Sequence, residues 1–158
     1  MLFERINRTN PEKVFTVAYN SYSTASLTNG QAAIWDYTTD VDGVGVTKPT
    51  DGTGRAGHYG TAFAGIAAET IASGDYGLLQ VYGYHSATRV RTKTGAQPAI
   101  VAGTGLTCVD AIFGLASADP AAEATSTTTV VAWQWVGFAL AAQASFTTKA
   151  IAVFIKGL

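Results

Sequence analysis

The chain has 158 residues, of which 47% are hydrophobic and 13% charged, and a formal net charge of −1. That is the length of one domain. It is long enough to bury roughly 68–70% of the surface its unfolded chain exposes, so a core can form without disulfide or metal staples. A charged share well under the usual ~25%, with no dense basic patch, argues against a nucleic-acid groove and nucleic acid as a partner.

The single cysteine, Cys108, lies in the run GLTCV and reads as a small buried apolar residue rather than a nucleophile. The opening decapeptide MLFERINRTN is too polar for a signal peptide. The longest apolar run, residues 130–142, is interrupted by Gln134 and is shorter than the roughly 18 residues a spanning helix needs. The expectation is a soluble chain with no membrane partner.

Taken in chain order, residues 1–26 read as an N-terminal arm, partly extended, followed by one β domain over 27–158. Within the arm, Val14 to Tyr19 (VFTVAY) has the β-branched and aromatic content of a strand. Leu27-Thr-Asn-Gly30 is turn chemistry, and Gln31 to Thr38 (QAAIWDYT) reads as the next strand. Residues 40–60, dense in glycine, read as a long loop or loose hairpin. The clearest β unit is Tyr76 to Thr94, introduced by the turn Ser73-Gly-Asp75. In its second half Arg89, Arg91 and Lys93 alternate and share a solvated face. Ala99 to Ala102 and Thr107 to Leu115 are two further short strands. Ser117 to Thr129 is a surface excursion in which Asp119-Pro120 can start one helical turn. Val130 to Ala141 and Ala150 to Ile155 close the chain as apolar strands, with Trp133 and Trp135 on one face.

Thr61 to Ala72 (TAFAGIAAETIA) conflicts with this scheme. It is rich in alanine, and Phe63, Ile66, Ala67, Thr70 and Ile71 follow helical spacing. The conflict matters because Gly52-Thr-Gly-Arg-Ala-Gly57, just upstream, fits the G-x-G-x-x-G dinucleotide pattern. That fingerprint needs a buried strand running into the first glycine, and Pro49 argues against one. It also needs an acidic residue about 20 positions on, where the next strand ends in Tyr82-Gly-Tyr-His85 without a carboxylate. The glycines are therefore read as a connection, and no cofactor is expected.

Other chemistry is thin. His58 and His85 lack metal-ligand spacing to a carboxylate. Asp36, Asp40, Asp42 and Asp51 cluster without the alternation of an EF-hand loop. Trp35, Tyr37, Tyr59, Tyr82 and Tyr84 suit cross-strand pairs more than a sugar platform. No spacing assembles a nucleophile, a base and an orienting group, so the chain is not expected to be an enzyme.

Three stretches carry a resemblance to a known family. They are LTNGQAAIWD (27–36), FAGIA (63–67) with ASGDYGLLQVYG (72–83), and GFALAA (137–142) with AIAVFIKGL (150–158). Together they look like the head decoration, or cement, proteins of tailed bacteriophages. The resemblance implies an all-β fold, an antiparallel β-barrel or sandwich with an extended N-terminal arm, and a strand rather than a helix over 61–72. It implies a trimer on the outer surface of the virion, with the major capsid protein as partner and no catalytic residue. On this reading residues 1–20 of the arm staple neighbouring capsid subunits. Phe3 and Phe15 would be apolar anchors, and Arg5, Arg8 and Lys13 would pair with carboxylates. A carbohydrate-binding β-sandwich of a tail or spike protein, and a ring-forming tail-tube or head-completion protein, are the competing expectations.

Overall fold

One strand organises the protein. In the computed structural model, which describes residues 12–37, 39–40, 43–49, 62–92, 99–108, 113–117, 135–144 and 147–157, strand β5 runs unbroken from Tyr76 to Val90, 15 residues, against a usual strand of about 5–6. Its first half pairs with β1 (Val14–Asn20) on one side and β4 (Phe63–Ala67) on the other. Its second half pairs with β9 (Lys149–Lys156) and, at Val90, with β7 (Leu115–Ser117). The remaining strands are β2 (Ala32–Trp35), β3 (Gly45–Thr47), β6 (Gly105–Cys108) and β8 (Gly137–Ala139).

The strand order is β1-β3-β2-β4-β5-β7-β6-β8-β9, with additional β1–β5 and β5–β9 pairings. Those two pairings close the sheet into two circuits, β1-β3-β2-β4-β5 and β5-β7-β6-β8-β9, sharing β5. The fold is all-β, as expected. Most pairs are antiparallel, but β1–β3 and β5–β7 are parallel, so the sheet is mixed. Closure removes the unpaired edges that an open sheet would present.

The core lies on both sides of β2 and β4. On β2, Ala32 and Ile34 pack into one cluster with Leu106, Leu115, Val153 and Ile155, while Ala33 and Trp35 pack into a second with Leu27, Val46, Ile71 and Leu79. On β4, Phe63 and Ile66 join the first cluster, and Ala64 and Ala67 join the second. Alternation of side chains across a strand sends successive residues to opposite faces, and here both faces are dry. The pair is a wall between two cores, which explains its alanine content: a wall between two packed cores admits little side-chain volume on each side.

Thr61 to Ala72 is the place where local pattern and fold disagree. Phe63–Ala67 is a strand, as the family resemblance implies and contrary to the helical spacing. The spacing has a β explanation. The β2–β4 register runs Ala32↔Ile66 and Ala33↔Gly65, then slips to Ile34↔Phe63. The extra residue is a β-bulge, and it shifts the phase of β4 by one, so Phe63 and Ile66 face the same core at a spacing of three. Gly65 takes the unusual backbone angle there, φ +151°, and a Cβ on it would lie 2.8 Å from the Cβ of Leu79 and 3.0 Å from the carbonyl oxygen of Gln80.

The strand expected within the arm at Val14 to Tyr19 is β1 (Val14–Asn20), and it closes the first circuit against β5. At its start, the carbonyl of Glu12 approaches β5 so closely that a Cβ on Gly83 (φ +99°) would sit 2.0 Å from that oxygen. At its end, buried Asn20 donates through Nδ2 to the carbonyls of Ile71 (3.0 Å) and Ala25 (3.2 Å). Three smaller expectations also shift. Ala99 to Ala102 holds only an isolated bridge, Ile100 to Gln143. The strand expected over 107–115 is two, β6 and β7, paired antiparallel through Cys108↔Leu115. The closing strand expected over 130–141 is described as a strand only at β8, Gly137–Ala139.

If the bulge sets the phase of the wall, Gly65→Ala should destabilise the protein by about 1–3 kcal/mol from backbone strain alone, with further loss from overpacking against Leu79. Urea unfolding checks this. A midpoint equal to that of the unmutated chain would mean that Gly65 does not fix the register.

Candidate interaction surface

Several exposed apolar side chains gather on the outer face of the β1–β5 pair. In the β1–β5 pair, Val17 stands directly opposite Leu78 and Tyr19 opposite Tyr76. Opposite residues of an antiparallel pair point to the same face, so Phe15, Val17 and Tyr19 on β1 lie beside Tyr76 and Leu78 on β5. All but Tyr19 are exposed, Val17 by 55% and Tyr76 by 64%. The Tyr19 and Tyr76 rings are in contact, centroids 5.2 Å apart. On the inner face of the same pair, Ala18 and Leu79 are fully buried.

Further along β5 lies an aromatic row. The Tyr82 ring meets Phe154 edge-to-face at 5.3 Å, and Phe154 stacks on Phe138 of β8 at 5.3 Å with an interplanar angle of 17°. Next in register, Phe138 opposes Gly105. The ring of Trp135, 65% exposed, lies over Gly105, where a Cβ would fall 2.8 Å from its Cδ2. Glycine at that position makes room for the indole. Between the two apolar areas, Gln80 folds along its own strand and donates through Nε2 to the carbonyls of Tyr82 and Tyr84, both at 3.1 Å.

Of the residues expected to bind a partner, Phe15 is exposed on β1 at one end of the β1–β5 patch, and Lys13 is exposed just before that strand. Phe3, Arg5 and Arg8 lie outside the described residues, as do His58, Tyr59, Asp42, Asp51, Trp133 and the glycine motif of 52–57. The aromatics considered for a sugar platform are separated: Trp35 packs against the second core, whereas Tyr82 belongs to the outer row. Val17, Tyr76 and Leu78 were not singled out by the sequence, because β1 and β5 carry apolar residues on both faces and alternation alone does not say which face is dry.

The residues that suggested chemistry have structural partners. Asp36 accepts a hydrogen bond from the Ser21 hydroxyl at 2.8 Å and another from the Thr39 hydroxyl, and Asp40 accepts the Gly45 N–H at 2.8 Å, so both carboxylates tie the β2–β3 connection together. Among the described residues, no three His, Cys, Asp or Glu side chains gather as a metal site would require. Cys108 is buried in the first core, and burial pushes its thiol well above the ordinary range. His85 is buried on the inner side of β5. Its Nδ1 accepts the Ala87 N–H at 3.3 Å and lies 3.0 Å from the Thr88 hydroxyl. Burial, and secondarily the charge of Lys13, lower its pKa from the ordinary 6.5.

No family model and no curated protein matches the chain.

Two predictions follow from the buried groups. Cys108 should resist alkylation by iodoacetamide in the folded protein and react fully in denaturant; rapid labelling of the native chain would contradict its burial. Burial holds the folded pKa of His85 below the unfolded one. The unfolded chain therefore binds the extra proton first as pH falls, and stability should be complete above pH 6.5 and decline below it. Thermal melts between pH 7.5 and 5 should show this slope, and His85→Gln should flatten it.

Proposed function

We propose that the protein is a structural component of a phage virion. It binds the major capsid protein lattice on the outer surface of the head, as a trimer, and stabilises the shell. The observation that carries this reading is the exposed apolar face of β1 and β5, formed by Phe15, Val17, Tyr76 and Leu78. Contiguous apolar area left open on a rigid sheet is characteristic of a surface that another protein covers. The near-neutral net charge of −1 suits contact burial more than electrostatic steering. The resemblance of 27–36, 63–67, 72–83, 137–142 and 150–158 to head decoration proteins suggests the partner. Repetition across a lattice then turns modest contacts into durable attachment, because each additional linked contact forms at a high effective concentration.

The staple belongs to this proposal in a narrower form. Residues 1–20 cannot be removed as a unit, because β1 lies among them. Residues 1–11, with Phe3, Arg5 and Arg8, precede the described fold and can be removed with β1 intact.

Co-sedimentation with undecorated capsids tests both parts. Leu78→Glu should lower occupancy at least about tenfold, the loss expected when a buried anchor is replaced by a charge, and should leave the melting temperature nearly unchanged because Leu78 is exposed. Removal of residues 1–11 should lower occupancy as well. Full occupancy by the truncated chain removes the staple, and the absence of any capsid binding by the intact chain removes the whole reading.

A further inference from the structure

A second feature lies away from the apolar face, where the connections of the two circuits meet. Tyr22 and Ala25 from the β1–β2 connection, Gln31 before β2, Lys48 after β3, Arg89 near the end of β5, Phe113 before β7 and Thr148 before β9 line a cleft of about 380 Å³. That is within the range of small-ligand sites, about 300–1,000 Å³. The backbone holds the two circuits together there, with the Arg89 N–H donating to the Gly30 carbonyl at 2.7 Å.

The charged groups of the lining, Lys48 and Arg89, are both cationic. Lys48 and Arg89 have no acceptor atoms. The Oε1 of Gln31 is occupied by the Thr28 N–H at 2.6 Å, which leaves its NH₂ group as the part that can serve a ligand. The Tyr22 phenol is held by the side chains of Thr24 and then Lys48, which lower its pKa below the ordinary 10. Among the described residues, no acidic side chain lines the cleft. The same lining carries two aromatic rings: Tyr22 and Phe113 meet edge-to-face at 5.2 Å, and the Lys48 ammonium sits 5.2 Å from one centroid and 5.9 Å from the other. The rings fix the ammonium in place without neutralising its charge.

We propose that this cleft is a binding site for an organic carboxylate with a ring-sized body. The acid group would lie between Lys48 and Arg89, where charge-assisted hydrogen bonds are strongest, with the Gln31 amide group as a third donor. The body of the ligand would rest against Tyr22 and Phe113. The apolar wall is what distinguishes this site from a spot for bare inorganic anions. The proposal is independent of capsid attachment, since none of these residues belongs to the β1–β5 patch.

The test is an NMR titration of the full chain with benzoate and glucuronate, with their uncharged counterparts benzamide and glucose, and with inorganic phosphate. At least one carboxylate should give saturable shifts centred on the amides of Gln31 and Arg89. It should bind at least about tenfold more tightly than its uncharged counterpart and than phosphate. Lys48→Gln and Arg89→Gln should each weaken it by a similar factor. Binding of benzoate alone identifies an arene acid, and binding of glucuronate alone an acidic sugar; either supports the site. Failure of both carboxylates to saturate, equal binding of the uncharged counterpart, or phosphate binding as tight as the carboxylates overturns it. Should a variant unfold, the comparison of charged and uncharged ligands on the unmutated chain still decides.

Discussion

The β2–β4 pair is dry on both faces, and much of the architecture follows from that constraint. A strand pair with solvent on one side needs one apolar face; this one needs two, and each must be thin. Ala32, Ala33, Ala64 and Ala67 meet the requirement on both strands, with Ile34, Phe63 and Ile66 projecting into the first core. A backbone in such a position must also have its polar groups paired, since an unpaired buried amide costs about as much as a lost hydrogen bond. The neighbouring strands β3 and β5 pair with the outer edges of β2 and β4. The Trp35 N–H and the Ala67 N–H, at the ends, donate to the carbonyls of Ala62 and Gln31, both at 2.8 Å. The two cores are therefore not separate domains. Each is roofed by the same pair of strands, and a change of side-chain volume in either is felt by the other.

The same constraint explains how much of the fold was legible in the sequence. The all-β class and the long β5 were, because turn chemistry and alternation agree there. The wall was not. Alanine in TAFAGIAA reads as helix former by local propensity, and the bulge, with Ala64 as the inserted residue beside Gly65, brings Phe63 and Ile66 to one face at a spacing of three. Both signals come from the tertiary role of the segment: small residues because two cores press on it, and a phase slip because one residue is inserted. Local rules see the result and assign it to the wrong cause. Resemblance to a family carried the strand assignment where periodicity did not.

The sites were less legible than the fold. Phe15 was visible as an apolar residue near the N-terminus, but its neighbours Val17, Tyr76 and Leu78 acquire meaning only once the β1–β5 register puts Val17 opposite Leu78. The cleft shows the same limit more sharply. Tyr22, Lys48, Arg89 and Phe113 are spread over 91 sequence positions (22 to 113) and converge through the closure of two circuits. No spacing rule anticipates that. In the sequence Arg89 reads as part of a solvated alternating run, and in the structure it is exposed, but beside an aromatic wall.

Sharing β5 between the circuits also bears on how the chain reaches its native state. The pairing Gly83↔Ile155 joins positions 72 residues apart (155 − 83), and Val17↔Leu78 joins positions 61 apart (78 − 17). Contacts of such separation are slow to form, because the entropy of loop closure is lost before any stabilisation is gained. On the ribosome, β5 is translated before β9, which starts 59 positions after Val90 (149 − 90). It must wait with one flank unsatisfied, at a synthesis rate of about 5–20 residues per second. The nascent protein therefore passes through an interval in which the second half of its central strand lacks its β9 partner, and the last strand to be made is the one that ends its exposure to mispairing.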